Sequence, residues 1–197
     1  MIERMAAPVR TPREDWVAAA LDALASGGPA AVRVESLAQS LGVSKGGFYW
    51  HFKDRAALLE AVLAAWEERM VDEVIAQVDG SQVDGSQVDG SQVDARTRLR
   101  RLFDLAATRA DFLGVELAVR DWARREPDVA ARLRRVDDRR VAYLRSLFSE
   151  ISDDEEDVEG RCLLAMSLFV GSPLVAAWPA RRRRRDVMAA ATEHLVR

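Results

Sequence analysis

Cysteine occurs once in the 197 residues, at position 162. A lone thiol cannot staple a fold, so a disulfide framework is excluded and a reducing cytoplasm fits best. Cys162 sits in an apolar helical stretch and reads as a buried structural thiol. Only two histidines are present. No Ser/His/Asp set, zinc-ligand cluster or phosphate-binding glycine loop can be assembled, so no catalytic residue, metal or cofactor is expected and the chain does not read as an enzyme. No apolar run is long enough to span a bilayer. The opening "MIERMAAPVRTPRED" lacks an apolar signal core, which predicts a soluble, unexported, cytoplasmic protein with no membrane partner. Proline is scarce outside helix starts and loops, and strand-type alternation is missing, which points to an all-α fold. Positive charge is not in excess either: 29 Lys and Arg against 32 Asp and Glu leave a net −3. A total hides its distribution, however. Residues 44–55 carry Lys45, Lys53 and Arg55 against Asp54 alone.

What is present is a succession of helix signals. Thr11, Pro12 and Glu14 stand where an N-cap, a first-turn proline and a capping-box acid belong. Trp16, Val17, Ala20, Leu21 and Leu24 then recur at helical spacing until Gly27, Gly28 and Pro29. A second helix is predicted over 34–41, with Leu37, Ala38 and Leu41 inward and Gly42 as the left-handed residue that ends it. Ser44 reads as the next N-cap. Asp54 caps a long fourth helix to about residue 77. Residues 78–95 repeat the unit VDGSQ, whose Gly, Asp and Ser are turn chemistry, and are expected to form a flexible loop. Further helices are predicted over 96–110, 114–125, from Pro127 to Ile151, from a Ser152/Glu155 capping box to about Trp178 with a kink near Gly171 and Pro173, and over 183–196. "RRRRR" at 181–185 reads as a solvated loop or helix start.

The stretch "LAQSLGVSKGGFYWHF", residues 37–52, carries the functional signal. A helix, a Gly-containing turn and a short second helix follow the order of a helix-turn-helix, whose second helix lies in the DNA major groove. Phe48 and Phe52, four apart, should anchor that helix to the core. Gly46 and Gly47 would let its backbone approach DNA. Lys45 can reach a base edge or phosphate, and Tyr49 and His51 can donate to phosphates. Lys53 and Arg55 add phosphate contacts at the next helix's N-terminus, itself an anion site.

The run "LGVSKGGFYWHFKDRAALL" resembles helix three and the start of helix four of the TetR/AcrR family of bacterial transcriptional regulators, and the resemblance extends over residues 12 to about 66. It implies an all-α homodimer: a helix-turn-helix DNA-binding domain over 1–55, then a C-terminal effector-binding and dimerisation domain over 56–197, dimerising through its last two helices. By motif match, Ser44, Lys45, Gly46, Gly47, Tyr49, Trp50, His51 and Arg55 fall on DNA-facing positions. Arg33 stands where a Ser or Thr often touches phosphate. The partners implied are a near-palindromic duplex operator and a small-molecule effector.

Trp66, Phe103, Phe112, Trp122, Tyr143, Met166 and Phe169 are core residues by default, and the resemblance makes them candidates to line an effector pocket. Few polar residues point inward, so a largely apolar effector is expected. The resulting expectation is a repressor released by that effector. The alternatives are a dimeric small-molecule-binding helical protein without DNA binding, and a ligand-dependent activator.

Overall fold

The computed structural model describes residues 11–80, 82–83, 86–87, 93–108, 110–175 and 183–197. Its first helix, α1 (Arg13–Gly27), starts one residue later than the capping-box reading placed it: Pro12 is the residue before the helix, and no side chain caps the free N–H groups. One face of α1 buries Trp16, Val17, Ala20, Leu21 and Leu24, as the spacing demands. A single 3-10 turn, Pro29–Ala31, leads to α2 (Val34–Ser40). Gly42, at φ +67°, makes the left-handed turn after α2, a conformation open to glycine at little cost. Lys45–Trp50 then form a 3-10 helix, and Ser44 precedes it in extended conformation without a side-chain cap.

The long fourth helix is continuous but irregular. α3 (Arg55–Glu67) is capped by Asp54, whose carboxylate accepts the Ala57 N–H at 2.8 Å. A π-helical turn, Glu68–Asp72, inserts before α4 (Glu73–Asp79). The VDGSQ segment, expected as a loop, contains a two-residue antiparallel ladder. β1 (Gln82–Val83) pairs with β2 (Ser86–Gln87), Gln82 opposite Gln87 and Val83 opposite Ser86. After it come α5 (Ala95–Thr108), α6 (Ala110–Ala123), α7 (Pro127–Phe148), α8 (Glu155–Gly171) and α9 (Arg184–Leu195). Among the described residues the fold is all-α apart from that ladder.

Two further expectations about helix ends, both concerning α8, are corrected. The N-cap of α8 is Asp154, accepting from the Glu156 N–H at 3.0 Å, and Ser152 instead accepts from the Asp154 N–H at 3.3 Å. A carboxylate two residues nearer the helix takes the capping role. Nor does α8 bend and continue. It stops at Gly171, and Ser172–Leu174 form a 3-10 turn, because Pro173 has no N–H to extend the ladder. The expected continuation to Trp178 lies outside the described residues, as do Arg181 and Arg182.

Two hydrophobic cores result. The larger begins around Trp16, Phe48, Phe52 and Leu58, continues through Val62, Trp66 and Val71, and takes in Val115 and Val119 of α6 and Val129 and Val136 of α7. The smaller joins Leu99, Leu147, Phe148, Cys162, Ala165 and Leu195 from α5, α7, α8 and α9. Cys162 is buried, as expected, and its thiol is pushed up by that burial. The helix-turn-helix head is joined to the body mainly where α1 lies on α6. That approach is close: a Cβ added at Gly114 would stand 3.1 Å from the Ala25 Cβ, tighter than ordinary carbon contact.

Candidate nucleic-acid interface and ligand cavity

The recognition segment is held from behind by aromatics. Phe48, fully buried, meets Trp16 edge-on at 5.5 Å and stacks with Phe52 at 5.4 Å. Tyr49 packs edge-on to Phe48 at 5.2 Å but stays 57% exposed, and Trp50 is 75% exposed. Arg33, Ser44, Lys45, Gly46, Lys53 and Arg55 are also exposed, while Gly47 and His51 are half-buried. Eight of the ten residues singled out for DNA are therefore exposed. Among the described residues nothing requires glycine at 46 or 47. An added Cβ would meet the Ser44 Oγ at 3.7 Å and the Trp16 Cζ2 at 3.8 Å, ordinary contacts, and neither backbone is left-handed.

Three of those residues have internal partners that the sequence did not announce. Lys45 pairs with Glu35 of α2, which raises the pKa of the ammonium and holds the carboxyl below its usual range. His51 donates from Nε2 to the Thr11 carbonyl at 2.9 Å and so ties the segment to the start of α1. Arg55 donates from Nε to the Val32 carbonyl at 2.6 Å and from Nη2 to the Pro29 carbonyl. Both are backbone carbonyls in the connection between α1 and α2, so Arg55 braces the first helix of the motif from the N-terminus of α3.

Between the two cores lies a cavity of about 100 Å³. Of the seven residues predicted for an effector pocket, Phe103, Tyr143, Met166 and Phe169 line it. Met70, Val74, Leu102, Leu113 and Leu144 are among the other apolar residues of its wall. Trp66 is buried in the larger core behind the wall, and its indole N–H donates to Glu116 at 3.1 Å. Trp122 is elsewhere, in an open cleft between the ends of α1 and α6. The side chain of Phe112 lies outside the described residues.

Sequence reasoning missed the polar centre of this region. Glu116 is only 1% exposed and lines the cavity with Arg140. Its Oε1 accepts from Arg120 Nε at 2.8 Å and Arg140 Nη1 at 2.9 Å, and its Oε2 from Arg140 Nη2 at 2.9 Å and from Trp66. Asp137 accepts both terminal nitrogens of Arg120, at 2.9 and 2.8 Å, and Arg140 Nη1 at 3.1 Å. Arg140 also lies over the Phe169 ring, 5.1 Å from its centre. Burial alone would raise the Glu116 pKa, but Arg140, Arg120 and the Trp66 N–H outweigh it and hold the carboxyl below its usual range. Burial, followed by the hydrogen bond at 2.7 Å to Asp79, pushes the Tyr143 hydroxyl up, so it stays protonated and donates.

Residues 17–62 match the family described as "Bacterial regulatory proteins, tetR family". An uncharacterised HTH-type transcriptional regulator of Pseudomonas putida, TtgW, is 32% identical over 65 residues. That match covers 33% of this chain and about half, 48%, of the relative. Among solved structures, a bacterial regulatory protein of the tetR family from Rhodococcus RHA1 superposes with a TM-score of 0.65 at 19% identity, over 93% of this chain and 94% of the other. A protein of Saccharomonospora viridis, described as a transcriptional regulator and solved in complex with choline, gives 0.73 at 20% identity, over 93% and 94%. Among the described residues no helix is long and apolar enough to cross a membrane, and no cluster of His, Cys, Asp or Glu could hold a metal ion. Residues 17–62 thus carry the helix-turn-helix domain of the tetR family of bacterial regulatory proteins, and the chain as a whole shares the fold of those solved structures.

Proposed function

We propose that the protein is a sequence-specific DNA-binding repressor in which residues 1–55 read the operator and residues 56–197 bind a small effector and dimerise. The observation that carries the reading is the outer face of the head. Arg33, Ser44, Lys45, Gly46, Tyr49, Trp50, Lys53 and Arg55 are all exposed there, over a segment fixed by buried Phe48 and Phe52. Large exposed aromatics beside cations fit a surface that meets base edges and phosphates. Two such heads related by a two-fold axis require a near-palindromic operator.

The dimer surface is α8 with α9. Leu163 and Leu164 on α8 are 69% and 59% exposed, and Leu174 just beyond is exposed too. The cavity behind the π-helical turn is the effector site, its wall largely apolar. A structural neighbour holding choline supports a small-molecule ligand in this fold. An effector that prefers the conformation unable to bind DNA would release the operator, since only differential affinity shifts the equilibrium.

A second reading, a ligand-binding helical protein that has given up DNA, draws on the internal partners of Lys45, His51 and Arg55. Fluorescence anisotropy with the DNA flanking the protein's own gene, at two salt concentrations and against unrelated competitor, decides between them. Tight, competitor-resistant binding that weakens steeply with salt is expected. Tyr49→Ala should weaken it, and Lys45→Ala should weaken it and reduce the salt slope by about one. Unchanged affinity in both variants would overturn the assignment of this segment.

A further inference from the structure

An apolar wall says little about the charge of the molecule it encloses; the ionised groups within that wall say more. Among the described residues only two line this cavity, Glu116 and Arg140, and both are occupied. A carboxylate offers about four lone-pair sites. Glu116 accepts four hydrogen bonds, two on each oxygen, from Arg120, Arg140 and Trp66. Both terminal nitrogens of Arg140 are bonded to Glu116, and one also to Asp137. The cluster contains two acids, Glu116 and Asp137, and two cations, Arg120 and Arg140, so its formal charge is zero. Tyr143, also in the wall, donates its hydroxyl hydrogen bond to Asp79, which leaves the oxygen only acceptor capacity toward a ligand.

A cationic ligand head entering here would have to take Glu116 from its arginines. An anionic head would have to take Arg140 from Glu116. Either exchange adds one net charge to an enclosed cluster that is otherwise neutral, and an uncompensated buried charge is strongly disfavoured. A neutral molecule disturbs nothing, and a hydroxyl or amide N–H on it could donate to an oxygen such as that of Tyr143.

We propose that the effector of this cavity is an electrically neutral, largely apolar molecule, and that Glu116 sets this preference by completing the charge balance of Arg120, Arg140 and Asp137. The proposal rests on the effector-cavity reading above. It goes further in assigning a specificity-determining role to a residue that touches both the cavity and the buried arginines.

The test uses the full chain and three probes with one ring system: 1-naphthalenemethanol, 1-naphthoate and 1-naphthylmethylammonium. Calorimetric titration of the wild type should show the alcohol binding about tenfold or more tighter than either charged probe. Glu116→Gln leaves the cluster with one net positive charge and should turn the preference toward naphthoate. Asp137→Asn, which creates the same net charge without altering the cavity wall, should turn it the same way by less, and serves if Glu116→Gln does not fold. A wild type that prefers either charged probe, or variants whose order of preference is unchanged, would overturn the role given to Glu116. Binding of none of the three would overturn the effector-cavity reading and this proposal with it. DNA affinity is measured separately, so failure of the head assignment remains distinguishable.

Discussion

The contact between Gly114 and Ala25 offers a sharp test of how the head is attached. Placing a methyl at 114 sets two Cβ atoms 3.1 Å apart, where carbons prefer about 3.5–4.0 Å. Gly114→Ala gains about 1 kcal/mol in helix propensity. It loses about 1–3 kcal/mol to overpacking if α1 and α6 cannot separate. The net expectation is a destabilisation between zero and about 2 kcal/mol. Ala25→Gly alone costs about 1 kcal/mol, less if the last turn of α1 frays. In the double variant the methyl has moved from one helix to the other. The clash is gone, the propensities cancel, and stability should return close to wild type. The coupling energy is therefore favourable by about 1–3 kcal/mol. Reversible urea unfolding at one fixed protein concentration measures it, since the proposed dimerisation would make apparent stability concentration-dependent. Additive effects, within about 0.5 kcal/mol, would refute the claim that α1 sits against α6 through this glycine.

Three other outcomes are expected. Glu116→Gln should cost about 3 kcal/mol of unfolding free energy at neutral pH, at the lower end for a buried ion pair because Asp137 still holds both arginines. The native Glu116 pKa lies below its reference value of 4.5, so its contribution is complete above pH 4.5 and is lost as pH falls through the native value. The gap in urea midpoint between wild type and variant should accordingly narrow in acid, and a gap independent of pH would count against the ionised, paired state. Glu35→Gln should remove the carboxylate that competes for Lys45 and tighten DNA binding, an effect that should vanish in a Lys45→Met background. Leu163→Glu should turn a dimer into a monomer in light scattering without loss of helicity, and an unchanged mass would exclude that face of α8 from the interface.

The parts of the molecule readable from sequence are those decided by neighbours a few residues away. Gly42 had to be the left-handed residue, Asp54 had to cap α3, and Phe48 and Phe52 had to share a buried face. The ladder in the VDGSQ segment had a usable signal, because Asp-Gly between Val83 and Ser86 favours a two-residue hairpin connection. The glycine period outweighed it. Glu116 had none. Within "VELAVRDWARRE" its spacing to Arg120 is that of an ordinary solvated i, i+4 pair. Its burial is decided by Trp66, 50 residues earlier, and Arg140, 24 later. The internal partners of His51 and Arg55 were hidden for the same reason, being 40 and 23 residues away along the chain.

The larger core has a bearing on how such proteins could be recombined. It runs from Trp16 through Phe48 and Trp66 to Val119 and Val136 without a break at residue 55. A chimera cut there, with a new head grafted onto this body, would set a foreign α1 against Gly114 and Val115. The transplantable unit is the head together with the α6 segment it rests on. Compatibility at that seam, more than the recognition residues themselves, would decide whether a grafted head stays coupled to this body.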